Sequence, residues 1–345
     1  MPLRGYAAHM SLPEIEPGLK VAAQMPPEPT AEEFAFAHQM GVDHAVAWTT
    51  GDKTSAEFYK HCKELYDENG IMLYGMGNGN VHNVAAITLN LSNRDAKVEE
   101  YNQHLRNLGS AGIPYTTYAH MANGVWSTPR ETTRGGASAR AFDSARVDEA
   151  IAGGGHGSRP QVDRDITEDE IWENFTSFVT EIAPVAEEAG VRIGIHPDDP
   201  PGLTLDRIPR PIFSSFSGYQ RALDIADSPN VGMCLCIGCW LEGGESMEEG
   251  VVDTIKHFGA QNKIFKVHYR TVDQPLPHFV ETFVDDGYFD MYDAMKALAE
   301  VEFDGVLIPD HIPTMADDPK VGTAYSIAYM KALLQRANAE VSGAG

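Results

Sequence analysis

Short apolar runs recur along the chain, separated by longer stretches of helical period. Runs rich in apolar and β-branched residues fall at 20–24 (KVAAQ), 43–49 (DHAVAWT), 72–76 (MLYGM), 114–119 (PYTTYA), 192–196 (RIGIH), 232–236 (GMCLC), 264–268 (IFKVH) and 305–309 (GVLIP). Each has the length and content of a buried strand. The intervening segments 30–39, 55–68, 95–110, 167–189, 217–226, 246–258, 291–301 and 324–339 have helical periodicity. Local signals agree: Thr30 before Glu32 and Glu33, and Thr167 before Glu168, Asp169 and Glu170, read as caps with acidic first turns, and Gly190 reads as a stop. Strands alternating with helices in this way predict an α/β protein, a single (β/α)8 (TIM) barrel domain over 1–345. A doubly wound sheet also alternates, but no Gly-x-Gly-x-x-Gly follows the first strand.

Two connections are long. Segment 121–166 follows the fourth strand, which places it on the C-terminal face of the barrel and suggests a lid. Its stretch 153–164 reads equally as a disordered excursion. Segment 197–216 follows the fifth strand and is stiffened by five prolines.

Composition narrows the function. The chain has 345 residues, 43% of them hydrophobic, enough for a sizeable core. No stretch approaches the roughly 20 apolar residues of a membrane span. The opening MPLRGYAAHMSLPEIEPG lacks the apolar core of a signal peptide, so a cytoplasmic location and no membrane partner are expected. Fifty acidic against 26 basic residues give a net charge of -24, which repels phosphate backbones and argues against nucleic acid as a partner. The acidic excess reads as a soluble surface or as salt adaptation. A homo-oligomer is compatible with either.

The candidate chemistry lies at strand ends, where barrels of this kind carry their sites. His196 ends the fifth strand, Cys236 the sixth and His268 the seventh, and Asp310 follows the eighth. Four consecutive strands thus offer a metal-binding side chain at one height. The mixture of nitrogen, sulfur and oxygen donors suits a borderline divalent ion such as Mn2+, Zn2+, Co2+ or Fe2+ and excludes a hard calcium cage. Of the other cysteines, Cys234 shares a strand face with Cys236 and is expected to pack one layer deeper, whereas Cys62 and Cys239 have no assigned role.

The sequence around His196, IHPDDPP (195–201), resembles the signature of mannonate dehydratases. Other stretches agree in order. These are YNQHLRNLGSAGI (101–113), the spacing of Tyr118, Met121 and Trp126, Ile208-Pro209-Arg210, Leu235-Cys236-Ile237-Gly238, Val267-His268-Tyr269-Arg270 and Pro309-Asp310-His311. The resemblance spans roughly residues 95–335. It implies a xylose-isomerase-like barrel, Mn2+ first among the divalent ions (Mg2+, Co2+, Fe2+ or Zn2+ as alternatives), and His196, Cys236, His268 and Asp310 as its ligands. The implied reaction removes water from D-mannonate to give 2-keto-3-deoxy-D-gluconate, as a step of carbohydrate catabolism.

That reaction needs a base at C2 and an acid for the departing C3 hydroxyl. His311, beside Asp310, is the first candidate. Tyr325 is the second, because the resembling family uses a tyrosine in its C-terminal segment. Arg270, Arg210, Asp198, Asp199 and Trp126 are candidates for holding the sugar acid or orienting the ligands. The chain departs from the family where Thr128 replaces an arginine two residues after the tryptophan, with Arg130 and Arg134 the nearest arginines. The helical insertion before strand five is short, and Gly322-Thr323-Ala324-Tyr325 lacks the family's Tyr-x-x-Arg-Ala run. The metal machinery thus looks kept and the substrate pocket altered. The alternatives are a dehydratase for another aldonate, a metal-dependent sugar isomerase or epimerase, and a barrel that only binds sugar acids.

Overall fold

Every predicted barrel strand forms, and parallel pairing joins them into a closed ring. The structure is a computed structural model describing residues 15, 17–149, 151–152, 160 and 162–343. The first half contains β1 (Lys20–Val21), β2 (Ala23–Met25), α1 (Ala31–Gln39), β3 (His44–Thr49), α2 (Ala56–Glu68), β4 (Met72–Asn78), α3 (Ala85–Thr88), α4 (Arg94–Ala111) and β5 (Tyr115–Ala119). Next come β6 (Trp126–Thr132), β7 (Ser138–Asp143), β8 (Ile151–Ala152), α5 (Glu168–Ala189), β9 (Arg192–His196), α6 (Phe216–Ala226), β10 (Val231–Cys236) and α7 (Ile237–Gly243). The chain continues through α8 (Val251–Ala260), β11 (Ile264–Tyr269), β12 (Thr271–Val272), β13 (His278–Thr282), α9 (Met291–Glu300), β14 (Val306–Pro309) and α10 (Pro319–Val341).

The ring runs β1-β14-β11-β10-β9-β5-β4-β3-β2, with every pairing parallel. β1 and β2 are halves of one strand interrupted at Ala22. One half pairs with β14 and the other with β3, which closes the circle. The helices form as the caps predict: Thr30–Glu33 and Thr167–Glu170 are capping boxes, and Gly190 ends α5 in the left-handed conformation. The helix expected at 246–258 begins only at Val251, after a short 3-10 turn at Gly244–Met247.

Two apolar layers hold the barrel. The larger lies between strands and helices, and a smaller one fills the interior with Ala22, Val46, Tyr74, Tyr115, Phe265, Val306 and Ile308. Tyr115 crosses that interior and reaches Gly194 on β9, where an added Cβ would lie 2.4 Å from its hydroxyl oxygen.

Sequence periodicity did not predict a second sheet, antiparallel and ordered β12-β13-β7-β6-β8. Its strands come from the connections after β5 and after β11, both at the C-terminal ends of barrel strands. Segment 121–166 therefore supplies three strands of this sheet, although 153–159 and 161, within the stretch read as lid or excursion, lie outside the described residues. Among the described residues, no helix is long and apolar enough to cross a membrane.

Gly194→Ala is expected to overpack the interior against Tyr115 and to lower unfolding free energy by about 1–3 kcal/mol. Urea denaturation should show an earlier midpoint at an unchanged m-value.

Candidate active site

Strand alternation turns His196, Cys236 and His268 to the same interior face, and register aligns them. Cys236 pairs directly with His268, and His268 with Ile308, two residues before Asp310. The donor atoms of Cys236, His268 and Asp310 all lie within 4.8 Å of one another. His268 Nδ1 stands 3.2 Å from His196 Nε2 and 3.3 Å from Asp310 Oδ2. His196 Nδ1 lies 2.7 Å from the Pro197 carbonyl and donates to it, so its Nε2 carries the free electron pair.

These residues fit a divalent cation. Neighbouring donors 3.2–3.3 Å apart have the spacing of adjacent ligands at bond lengths of about 2.0–2.3 Å. His268 Nδ1 is the ring nitrogen that faces both neighbouring donors. Burial opposes charge on the Cys236 sulfur, but the Cys239 thiol bonded to it and the Arg270 guanidinium outweigh that and hold it well below the usual thiol value. A thiolate is the form that binds metal.

One wall of the site is a buried lattice of charge. Arg270 lies between β11 and β12, and Arg140 projects from β7. Arg270 donates to Glu242 at 2.6 Å, to Asp199 at 3.0 Å and to the Cys239 sulfur at 3.2 Å. Asp199, Cys239 and Glu242 are close enough together to resemble a second metal cluster, but the Arg270 guanidinium already sits among them. Gly238 admits it, since a Cβ there would come within 2.3 Å of Arg270 Nη1. Arg140 donates to Asp199, to Glu281 at 2.9 Å and to Glu242 at 3.2 Å. Burial, reinforced by Asp199 and Glu281, overcomes the pull of the arginines and pushes Glu242 up to about 8. Two guanidinium groups thus face three acidic side chains, of which Glu242 is the one burial makes hardest to ionise.

His311 follows Asp310 in the left-handed region, at φ +45°. A non-glycine residue held there stores roughly 1–3 kcal/mol of strain, a feature that clusters at functional sites. Its Nδ1 lies 2.7 Å from Glu281 Oε1. Desolvation acts to depress the imidazole, but the Asp310 and Glu281 carboxylates outweigh it and raise the pKa to about 9. A third of the side chain remains open to the cavity, where solvent screens part of that pull.

The cavity at the barrel mouth has a volume of about 600 Å3. His196, His268, Asp310, His311 and Asp199 line it on one side, Trp48 and His82 on another, and Arg130 and Arg140 come from the antiparallel sheet. Cys236 completes the donor cluster beneath. The remaining sequence candidates lie around the cavity rather than in its lining. Arg270 is buried in the charged wall. Arg210 ties the Pro200 carbonyl to Asn123, Asp198 accepts from Ser214, and the Trp126 indole donates to the Asn123 carbonyl. Tyr325 stands on α10, its hydroxyl 3.4 Å from Arg134 and its ring edge-on to Phe283.

Sequence reasoning missed Arg140, Glu242 and Glu281. A faint signal existed in Arg140-x-Phe142 and Phe279-x-Glu281, which place a charge two residues from a phenylalanine and so on its face. The two rings stack 6.1 Å apart, and the Arg140 guanidinium lies over Phe279.

Known proteins place the chain. Mannonate dehydratase 2 of Halalkalibacterium halodurans is 30% identical over 245 residues, covering 65% of this chain and 70% of that protein. The crystal structure of mannonate dehydratase from Streptococcus suis serotype 2 superposes with a TM-score of 0.81 at 24% identity, covering 95% of each chain. A xylose isomerase domain protein from Planctomyces limnophilus shares the barrel, with a TM-score of 0.60 at 11% identity over 95% of this chain and 99% of that one. The fold is thus the xylose-isomerase-like barrel that the sequence resemblance implies. The model of the D-mannonate dehydratase (UxuA) family matches residues 38–153 and 158–340; the chain therefore belongs to the mannonate dehydratase family, carbon–oxygen lyases that remove water from sugar acids.

Proposed function

We propose that this chain dehydrates a hexonate, D-mannonate first among them, with a divalent cation (Mn2+ foremost) held by His196, Cys236, His268 and Asp310. The observation that carries the reading is a donor cluster at one cavity: Cys236, His268 and Asp310 lie within 4.8 Å of one another, His196 Nε2 stands 3.2 Å from His268 Nδ1, and His311 shares the lining with His196, His268 and Asp310. A cation there would polarise the substrate's carboxylate or hydroxyl oxygens and so acidify the C2 hydrogen. A single carboxylate among the ligands favours this over an isomerase of the same fold, which leans on several.

The chain's own groups supply the rest. The C2 proton leaves to a base, and the C3 hydroxyl departs as water with a proton from an acid. The resulting enol becomes the 2-keto-3-deoxy acid. His311 is assigned proton transfer through Nε2, because Nδ1 is engaged by Glu281. Tyr325, its hydroxyl 3.4 Å from Arg134, stays the second candidate for the other proton transfer.

Arg130 is assigned the substrate carboxylate. A bound sugar acid needs a cation with charge to spare. Arg140 is matched by three acidic side chains, whereas Arg130 bonds only the Ser138 hydroxyl and carbonyl, each at 2.8 Å, and has no carboxylate partner among the described residues.

A panel of D-mannonate, D-gluconate and related aldonates with added Mn2+ should yield a 2-keto-3-deoxy product from at least one acid, and chelation should abolish turnover. No product from any aldonate would overturn the reading, and ketose formation from an aldose would transfer it to an isomerase. Arg130→Gln should raise KM for the preferred acid about 10- to 100-fold, the loss of one charge-assisted contact. Its melting temperature should stay unchanged, because the side chain is exposed.

A further inference from the structure

Glu281 belongs to no barrel strand, yet it reaches the residue assigned to proton transfer. It sits on β13, whose Val280 pairs with Ala141 of β7, so one step along it stands across from Arg140. β12 follows Arg270 directly and pairs with β13, so the hairpin folds Glu281 back against that second arginine. Two hydrogen-bond donors and a third, ion-paired nitrogen converge on a single oxygen, Glu281 Oε1. They are His311 Nδ1 at 2.7 Å, Arg140 Nη1 at 2.9 Å and Arg270 Nη1 at 3.1 Å. The side chain is 1% exposed, so the carboxylate is held in one pose.

We propose that Glu281 is the positioning residue for His311, fixing the ring with Nδ1–H engaged and Nε2 turned to the cavity beside Asp310, 3.7 Å from its Oδ2. This rests on the assignment of proton transfer to His311. His311 lies outside any strand, and its left-handed backbone leaves the ring direction to side-chain contacts. An imidazole transfers protons productively only with the correct nitrogen facing the substrate, and a carboxylate acceptor on the other nitrogen selects that tautomer. The antiparallel sheet thereby becomes part of the catalytic apparatus, supplying the orienting group from outside the barrel. The competing role for Glu281 is solely to balance the charge of Arg140 and Arg270.

Two substitutions separate these roles. Glu281→Asp keeps the negative charge for the arginines but withdraws the oxygen by one methylene. Glu281→Gln keeps the shape and an acceptor oxygen but removes the charge. Positioning predicts that E281D folds with near-normal melting and Mn2+ affinity, and that kcat falls about 10- to 100-fold while KM changes little. A purely charge-balancing role predicts near-normal kcat for E281D, with losses in E281Q that track thermal stability.

A double-mutant cycle completes the test. In a His311→Asn background, E281D should cost nothing further. Additive losses, or wild-type kcat in E281D, would overturn the proposal. Full activity of His311→Asn alone would instead overturn the role of His311, and with it the proposed mechanism. If neither Glu281 variant folds, Arg140→Lys keeps the charge and loosens one of the two hydrogen-bond donors. The same kcat loss is expected there at unchanged Mn2+ affinity, and an unchanged kcat counts against positioning.

Discussion

Parallel register sets Cys236 beside His268, and the alternation of each strand turns both side chains to the barrel interior. The rest of the site depends on that alignment. A slip of one residue between β10 and β11 would carry Cys236 to the helix side and bring Leu235 inward. The same alternation stacks a second level beneath the donors, with Gly194 under His196, Cys234 under Cys236 and Lys266 under His268. Cys234 and Lys266 are themselves partners in register. The ring closes through β1 and β2, so no strand end is free to drift. Tyr115, set against Gly194 and hydrogen-bonded to Thr117, fills the space below.

The second structural theme is compensation of buried charge. Isolated ions in a protein interior cost several kcal/mol each, and a lattice survives only if each member has partners. Here Arg140 and Arg270 interleave with Asp199, Glu242 and Glu281, and burial shifts Glu242 toward its protonated form. The lattice spans the barrel and the antiparallel sheet, so it joins the two parts of the structure at the edge of the cavity. Arg210 performs a similar fastening further out, between the proline-rich segment after β9 and the segment after β5.

The barrel was legible because its strands are short apolar runs and its helices carry caps, both of which are local signals. The four donors were legible because three end such a run and Asp310 directly follows one, so strand position alone aligned them. The antiparallel sheet was not. β6 reads WSTPRET, polar and interrupted by Pro129, with only Trp126 and Thr128 buried, and β12 is two residues long. The charged wall was hidden for a different reason. Glu281 lies 141 positions from Arg140 and 30 from His311, and no local pattern signals a charge buried by distant partners. Arg270, Arg210, Asp198 and Trp126 stand within the family-like motifs, as candidates for holding the sugar acid or orienting the ligands. Their hydrogen bonds run to other protein groups around the cavity.

Binding of one cation by the four strand-end side chains is tested most directly by anomalous diffraction from crystals grown with Mn2+, recorded at the manganese edge. One strong peak per chain is expected, within bonding distance of His196 Nε2, Cys236 Sγ, His268 Nδ1 and a carboxylate oxygen of Asp310. A peak among Asp199, Cys239 and Glu242 with Arg270 displaced, or no peak at the barrel mouth, would contradict it.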